Sequence, residues 1–71
     1  MNTYIFAYCI EGNNYLKTIV ANSYANAIEK VCGKLEAFND DLDLYGLTDW
    51  DDVVAECENY AIYLTDLKEI D

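Results

Sequence analysis

Residues Tyr4 to Ile10 form an unbroken apolar and aromatic run, YIFAYCI, with no charge in it. The segment from Thr3 to Glu11 is rich in β-branched and aromatic residues and predicts a strand. Gly12-Asn13 follows, a pair that tolerates positive φ and suits a two-residue hairpin loop. Asn14 to Ala21 (NYLKTIVA) then predicts a second strand. That loop pairs Glu11 with Asn14, Cys9 with Leu16, Ala7 with Thr18 and Ile5 with Val20. One sheet face then carries Ile5, Ala7, Cys9, Leu16, Thr18 and Val20. The other carries Tyr4, Phe6, Tyr8, Ile10, Tyr15, Lys17 and Ile19. A strand apolar on both sides predicts a sheet covered by something. Small side chains such as Ala7 and Cys9 let a helix approach closely, so the first face is assigned to the helices. The tyrosine-rich face is then open; in the alternative assignment the faces are reversed, the aromatics are core and the Ile5 side is small and partly shielded.

The period changes after Ala21. Ser23 suits an N-cap, and Tyr24, Ile28, Val31, Cys32, Leu35 and Phe38 recur on one side of a helix ending near Phe38. Asn26, Glu29, Lys30, Lys34 and Glu36 fall on the water side. Gly33, inside this helix, costs about 1 kcal/mol against Ala. Close packing on another element is the expected reason for it. Asn39 to Leu47 is a connection. Thr48 is the expected cap of a second helix, Asp49 to about Glu58, with Asp51 completing an acidic capping box. Trp50, Val53, Val54 and Cys57 share one side of it. Asn59 to Leu67 could extend this helix, but Tyr60, Ile62, Tyr63, Leu64 and Thr65 favour a third strand. The expected fold is α+β, a single domain over residues 1–71 in the order ββααβ. Two helices pack on one face of a three-stranded antiparallel sheet.

Composition supports a folded chain: 54% of the 71 residues are hydrophobic, too many for a disordered one. Cys9, Cys32 and Cys57 each fall at an apolar position, and they read as reduced thiols acting as small hydrophobes. No apolar run approaches the ~20 residues of a membrane span. The first residues lack the basic start and long apolar stretch of a signal peptide. A cytoplasmic location is expected.

Charge changes the picture most. Residues 1–38 hold as many lysines as acids, whereas 39–71 hold eleven of the fourteen acids and only one lysine, Lys68. The net charge is −10 and the chain has no arginine. Direct nucleic-acid binding is excluded, because phosphate recognition needs clustered lysine or arginine. An anionic membrane is disfavoured on the same ground. The complementary partner is a basic protein surface.

Catalysis is not expected. The chain has no histidine to act as a base near neutral pH, its one serine is a helix cap, and its cysteines have no imidazole or arginine to activate them. No cofactor is expected either. Residues 41–52, DLDLYGLTDWDD, place Asp41, Asp43, Gly46, Asp49 and Asp52 at positions one, three, six, nine and twelve of an EF-hand-like loop. Tyr45 stands where an oxygen ligand is wanted, and Asp52 is shorter than the usual bidentate glutamate. A weak calcium loop is therefore an alternative, and no metal ligand is assigned.

The reading favoured by the charge layout is an acidic protein-binding module, an inhibitor or adaptor for a basic, nucleic-acid-binding protein. Its docking residues are Asp40, Asp41, Asp43, Asp49, Asp51, Asp52 and Glu56. Spaced carboxylates can imitate a phosphate backbone and occupy such a partner's groove. In size and charge the chain is similar to small acidic inhibitors carried by phages and mobile elements, anti-CRISPR and anti-restriction proteins among them. No aligned motif carries that similarity. A second alternative is a homo-oligomeric structural module, in its simplest form a homodimer, assembled through Tyr4, Phe6, Tyr8 and Tyr15.

Overall fold

The Glu11-Gly12 turn joins two nine-residue strands, β1 (Asn2–Ile10) and β2 (Asn13–Ala21), in an antiparallel hairpin. The structure is a computed structural model and describes residues 1–70. Both turn residues have positive φ, 54° at Glu11 and 80° at Gly12, as a type I′ loop requires. The loop therefore lies one residue earlier than Gly12-Asn13. The pairing shifts by two: Tyr8 faces Tyr15, Ala7 faces Leu16 and Ile5 faces Thr18. The stacked rings of Tyr8 and Tyr15, with centroids 5.0 Å apart, hold this register. An even shift keeps every side chain on its own face.

The helices cover the aromatic face, the opposite of the sequence-based assignment. Tyr4 and Phe6 are each 3% exposed. Tyr24 of α1 (Tyr24–Phe38) meets Tyr4 edge-on at 6.1 Å, and Trp50 of α2 (Trp50–Glu58) meets Phe6 in the same way at 6.1 Å. Area decides the orientation. Each large ring buries about 150–250 Å², which Ala7 and Cys9 cannot match. Leu16, on the far face, stays 68% exposed. The expected contact face of Tyr4, Phe6, Tyr8 and Tyr15 is thus the inside of one chain, with only Tyr15 largely open.

In α1 the Ser23 hydroxyl accepts from the Asn26 N–H at 3.1 Å, as its sequence position implied. Ala27, Ile28, Val31, Cys32 and Leu35 are buried, while Tyr24 and Phe38 lie exposed at the two ends. Lys30 ties the helix to the hairpin, donating from Nζ to the Val20 carbonyl at 2.7 Å. The close packing expected at Gly33 is absent: a Cβ there would meet nothing within 4 Å. The cap of α2 is Asp49, not Thr48. Its carboxylate accepts from the Asp51 N–H at 2.9 Å. A charged acceptor at the positive end of the helix dipole outcompetes a neutral hydroxyl one residue earlier.

The C-terminal segment is two short strands rather than one long one. β3 (Ile62–Leu64) and β4 (Lys68–Glu69) both pair with β1, β3 at Tyr8 to Ile10 and β4 at Tyr4 and Ile5. Residues 59–61 are a turn closing α2, with Ala61 at φ 59°, which delays the strand. Between β3 and β4, three residues (65–67) oppose two of β1 (6–7), a β-bulge. Strict alternation from Ile62 and Leu64 would point Asp66 at the core. The extra residue exposes Asp66 and buries Leu67 instead. Thr65 repairs the ladder: its Oγ1 accepts from the Ala7 N–H at 2.8 Å, and its own N–H donates to the Ala7 carbonyl at 2.9 Å. The Trp50 indole donates to the Thr65 carbonyl at 3.0 Å, binding α2 to the bulge. The result is an α+β domain with sheet order β2-β1-β3, β4 extending the β3 edge, and two helices on one face.

Candidate protein-docking surface

The acidic stretch begins where α1 ends. Asn39 caps the helix, its N–H donating to the Leu35 carbonyl at 3.0 Å. Its side-chain oxygen accepts from the Asp41 N–H at 3.0 Å, and its carbonyl accepts from the Leu42 N–H at 3.1 Å. Asp40 and Asp41 thereby occupy the tip of a turn and are exposed. The next residues alternate. Leu42 and Leu44 are buried, while Asp43 and Tyr45 point outward. The connection is therefore part of the core on one side and part of the acidic surface on the other. The Leu44 N–H donates to Glu36 of α1 at 3.2 Å, and Asp43 accepts from the Tyr45 N–H at 3.1 Å. A turn over Leu44–Leu47, with Gly46 at φ 82°, leaves Tyr45 at its corner, 93% exposed.

Asp49 then starts α2, and Asp51 and Asp52 stand in its first turn. Trp50, Val53 and Cys57 face inward, so Asp51, Asp52, Ala55 and Glu58 form the outward arc. Glu56 lies on the flank and is half-buried. Six of the seven residues expected to dock a partner are exposed, and the hydrogen bonds that Asp43 and Asp49 accept come from nearby backbone N–H groups.

The structure brings some of these residues together and not others. Asp49 and Asp51 share an open groove of about 510 Å³ with Asp66, Tyr24 and Lys68. The Tyr24 hydroxyl has its pKa raised, first by burial and then by the charges of Asp66, Asp51 and Asp49. Asp40, Asp41 and Asp43 belong to the connecting segment and do not line that groove. Sequence reasoning missed Asp66 at this site. Its signal was the bulge, which no local pattern announces. It also missed Tyr45, although the alternation Asp41-Leu42-Asp43-Leu44-Tyr45 carries that outward position.

Among the described residues no three acid or thiol side chains gather to hold a metal ion. The calcium-loop alternative therefore lacks a converged ligand set: Leu42 and Leu44 turn inward, and Asp43 and Asp49 accept from their own loops. No described helix is long and apolar enough to cross a membrane. Comparison with protein-family models, curated proteins and solved structures yields no match for this chain.

Proposed function

We propose that the protein is an acidic binding module that docks on a basic protein surface through α2 and the segment before it. The observation that carries this reading is the outward placement of Asp40, Asp41, Asp43, Asp49, Asp51 and Asp52 by elements whose inward residues fill the core. The same segment is thus anchored in the core through its inward residues and densely charged on its outer side. Asp66 adds to the set from the C-terminal bulge, and exposed Tyr45 offers a ring to a lysine or arginine of the partner. Occupation of a nucleic-acid groove by these carboxylates would make the protein an inhibitor of that partner. The likeness in size and charge to acidic inhibitors of phages and mobile elements fits this role, as does a cytoplasmic location.

The test begins with capture from the source cell at low salt and elution on a salt gradient. A captured basic protein should then be measured against the Asp51→Asn/Asp52→Asn variant. Association is expected to slow by about tenfold with little change in dissociation, because steering acts on encounter. A partner whose affinity ignores both salt and these substitutions would refute the reading.

A further inference from the structure

One stripe of α1 borders a groove away from the acidic residues of α2. Ala25, Glu29, Gly33 and Glu36 follow one another at three- or four-residue steps, so they share that stripe. Residues 44–48, which lead into the Asp49 cap, form the other wall. Between the two lies an open groove of about 640 Å³, with Cys32, Leu44 and Leu47 among its apolar lining. Gly33 makes the room. A Cβ there would meet nothing within 4 Å, and glycine weakens a helix interior. The fold gains nothing from it, but the missing side chain leaves the groove open midway along its length.

The groove also carries a charge. Glu29 and Glu36 stand about one turn to either side of Gly33, and no lysine is among the lining residues. Lys30 is engaged by the Val20 carbonyl, and Lys34 borders a separate depression beside Phe6 and Tyr8. Glu36 is half-buried and is held to the opposite wall by the Leu44 N–H at 3.2 Å. A carboxylate has about four acceptor sites, so it takes further donors without giving up that bond. Tyr45 stands on the same wall as Leu44, almost wholly exposed.

An apolar floor, two carboxylates without a cation and an exposed ring select one kind of side chain. A guanidinium is weakly hydrated, bonds a carboxylate through two parallel N–H donors and stacks on aromatic rings, whereas a lysine ammonium is a strongly hydrated point charge. We infer that the groove seats an arginine side chain of the basic partner, with its guanidinium between Glu36 and Tyr45 and Glu29 adding negative charge. The inference rests on the docking reading for its occupant, and it adds an anchor on α1 to the carboxylates of α2.

Amide chemical-shift titration of the full chain with a capped alanine–arginine–alanine tripeptide tests it, at about 0.15 M salt, where charges beyond about 8 Å are largely screened. The arginine peptide should bind with a dissociation constant of about 1 mM and shift Gly33 and residues 44–48 most. Its neutral citrulline counterpart should bind at least about tenfold more weakly. Gly33→Leu fills the groove and should abolish saturation while circular dichroism stays native. Glu36→Gln keeps an acceptor for the Leu44 N–H and should weaken binding about fivefold. Asp51→Asn/Asp52→Asn should change peptide binding by less than about twofold. Shifts that do not saturate by about 20 mM peptide, or that Gly33→Leu leaves unchanged, overturn the inference. So does a captured basic protein that Asp51→Asn/Asp52→Asn weakens and Gly33→Leu does not, an outcome that leaves the docking reading standing. Saturable binding of the arginine peptide, lost in Gly33→Leu, supports the groove even where a captured protein ignores salt and the α2 substitutions, and there it is the docking reading that fails.

Discussion

Gly33 lies on the exposed side of α1, and a Cβ added there would meet nothing within 4 Å. Its φ is an ordinary helical one, so nothing in the fold requires glycine. Gly33→Ala should stabilise the protein by about 0.5–1 kcal/mol, raising the thermal midpoint by several degrees. An unchanged or lowered midpoint in a calorimetric scan would show that the helix needs freedom there. The thiols make a second case at the same scale. Cys57 is fully buried and Cys32 nearly so. Burial is the main reason both have pKa values pushed up to about 11 from 9.0; Glu36 adds to the effect at Cys32, and the charge of Cys32 adds to it at Cys57. A thiol is neutral when protonated, so a raised folded-state value favours the native state below pH 9. That contribution is lost as pH rises towards 11. The urea midpoint should fall over this window, and Cys32→Ala should lessen the fall. An equal fall in the variant would show that the Cys32 thiol does not set the alkaline loss.

At the scale of elements, the bulge depends on one hydroxyl. Thr65 gives β1 the acceptor that the broken ladder denies to the Ala7 N–H. Thr65→Val keeps the shape and removes that acceptor at an exposed site, so it should cost about 0.5–1.5 kcal/mol. Thr65→Ser should recover most of the loss. If the two variants denature alike in urea, the hydroxyl is irrelevant and the methyl matters. Local patterns showed both helices, the hairpin and the Ser23 cap, because each is written in contiguous residues with a fixed period. They could not show which sheet face is buried. That depends on comparing ring area against close approach, and Phe6 and Trp50 are far apart in sequence. Nor could they show the bulge, since a third strand from Asn59 to Leu67 reads smoothly until the parity of Asp66 and Leu67 is checked against the core. The acidic residues were legible as a set because burial of a carboxylate is costly and Asp-Leu alternation leaves them one direction to point. Their division between a turn tip and a groove beside Tyr24 was not, since the groove exists only once the bulge turns Asp66 outward.

The whole molecule measures about 31 × 26 × 19 Å, and that size sets how its charges speak to one another. At ~0.02 M salt the screening length is roughly 20 Å, comparable to the protein itself, whereas at ~0.5 M it is roughly 4 Å. At low salt, therefore, nearly every carboxylate repels every other, and folding draws them together. The stretch that holds Asp40 to Glu58 also supplies Leu42, Leu44, Trp50, Val53 and Cys57 to the core. Burying those residues turns their charged neighbours outward, and no lysine comes between them along the chain until Lys68. The fold therefore works against its own field. Chloride salt added from ~0.02 to ~0.5 M should stabilise it by about 1–2 kcal/mol, a rise of roughly 5–10 °C in thermal midpoint. Sulfate would raise the midpoint further by exclusion from the surface, so the chloride series is the informative one. Asp40→Asn/Asp41→Asn should raise the midpoint at low salt, and the gain should vanish at high salt. These two residues sit at a turn tip and make no use of their charge in capping a helix. A midpoint flat across the chloride series would mean that the carboxylates hardly feel one another. A surface without that mutual field has no long-range pull to exert on a basic partner either.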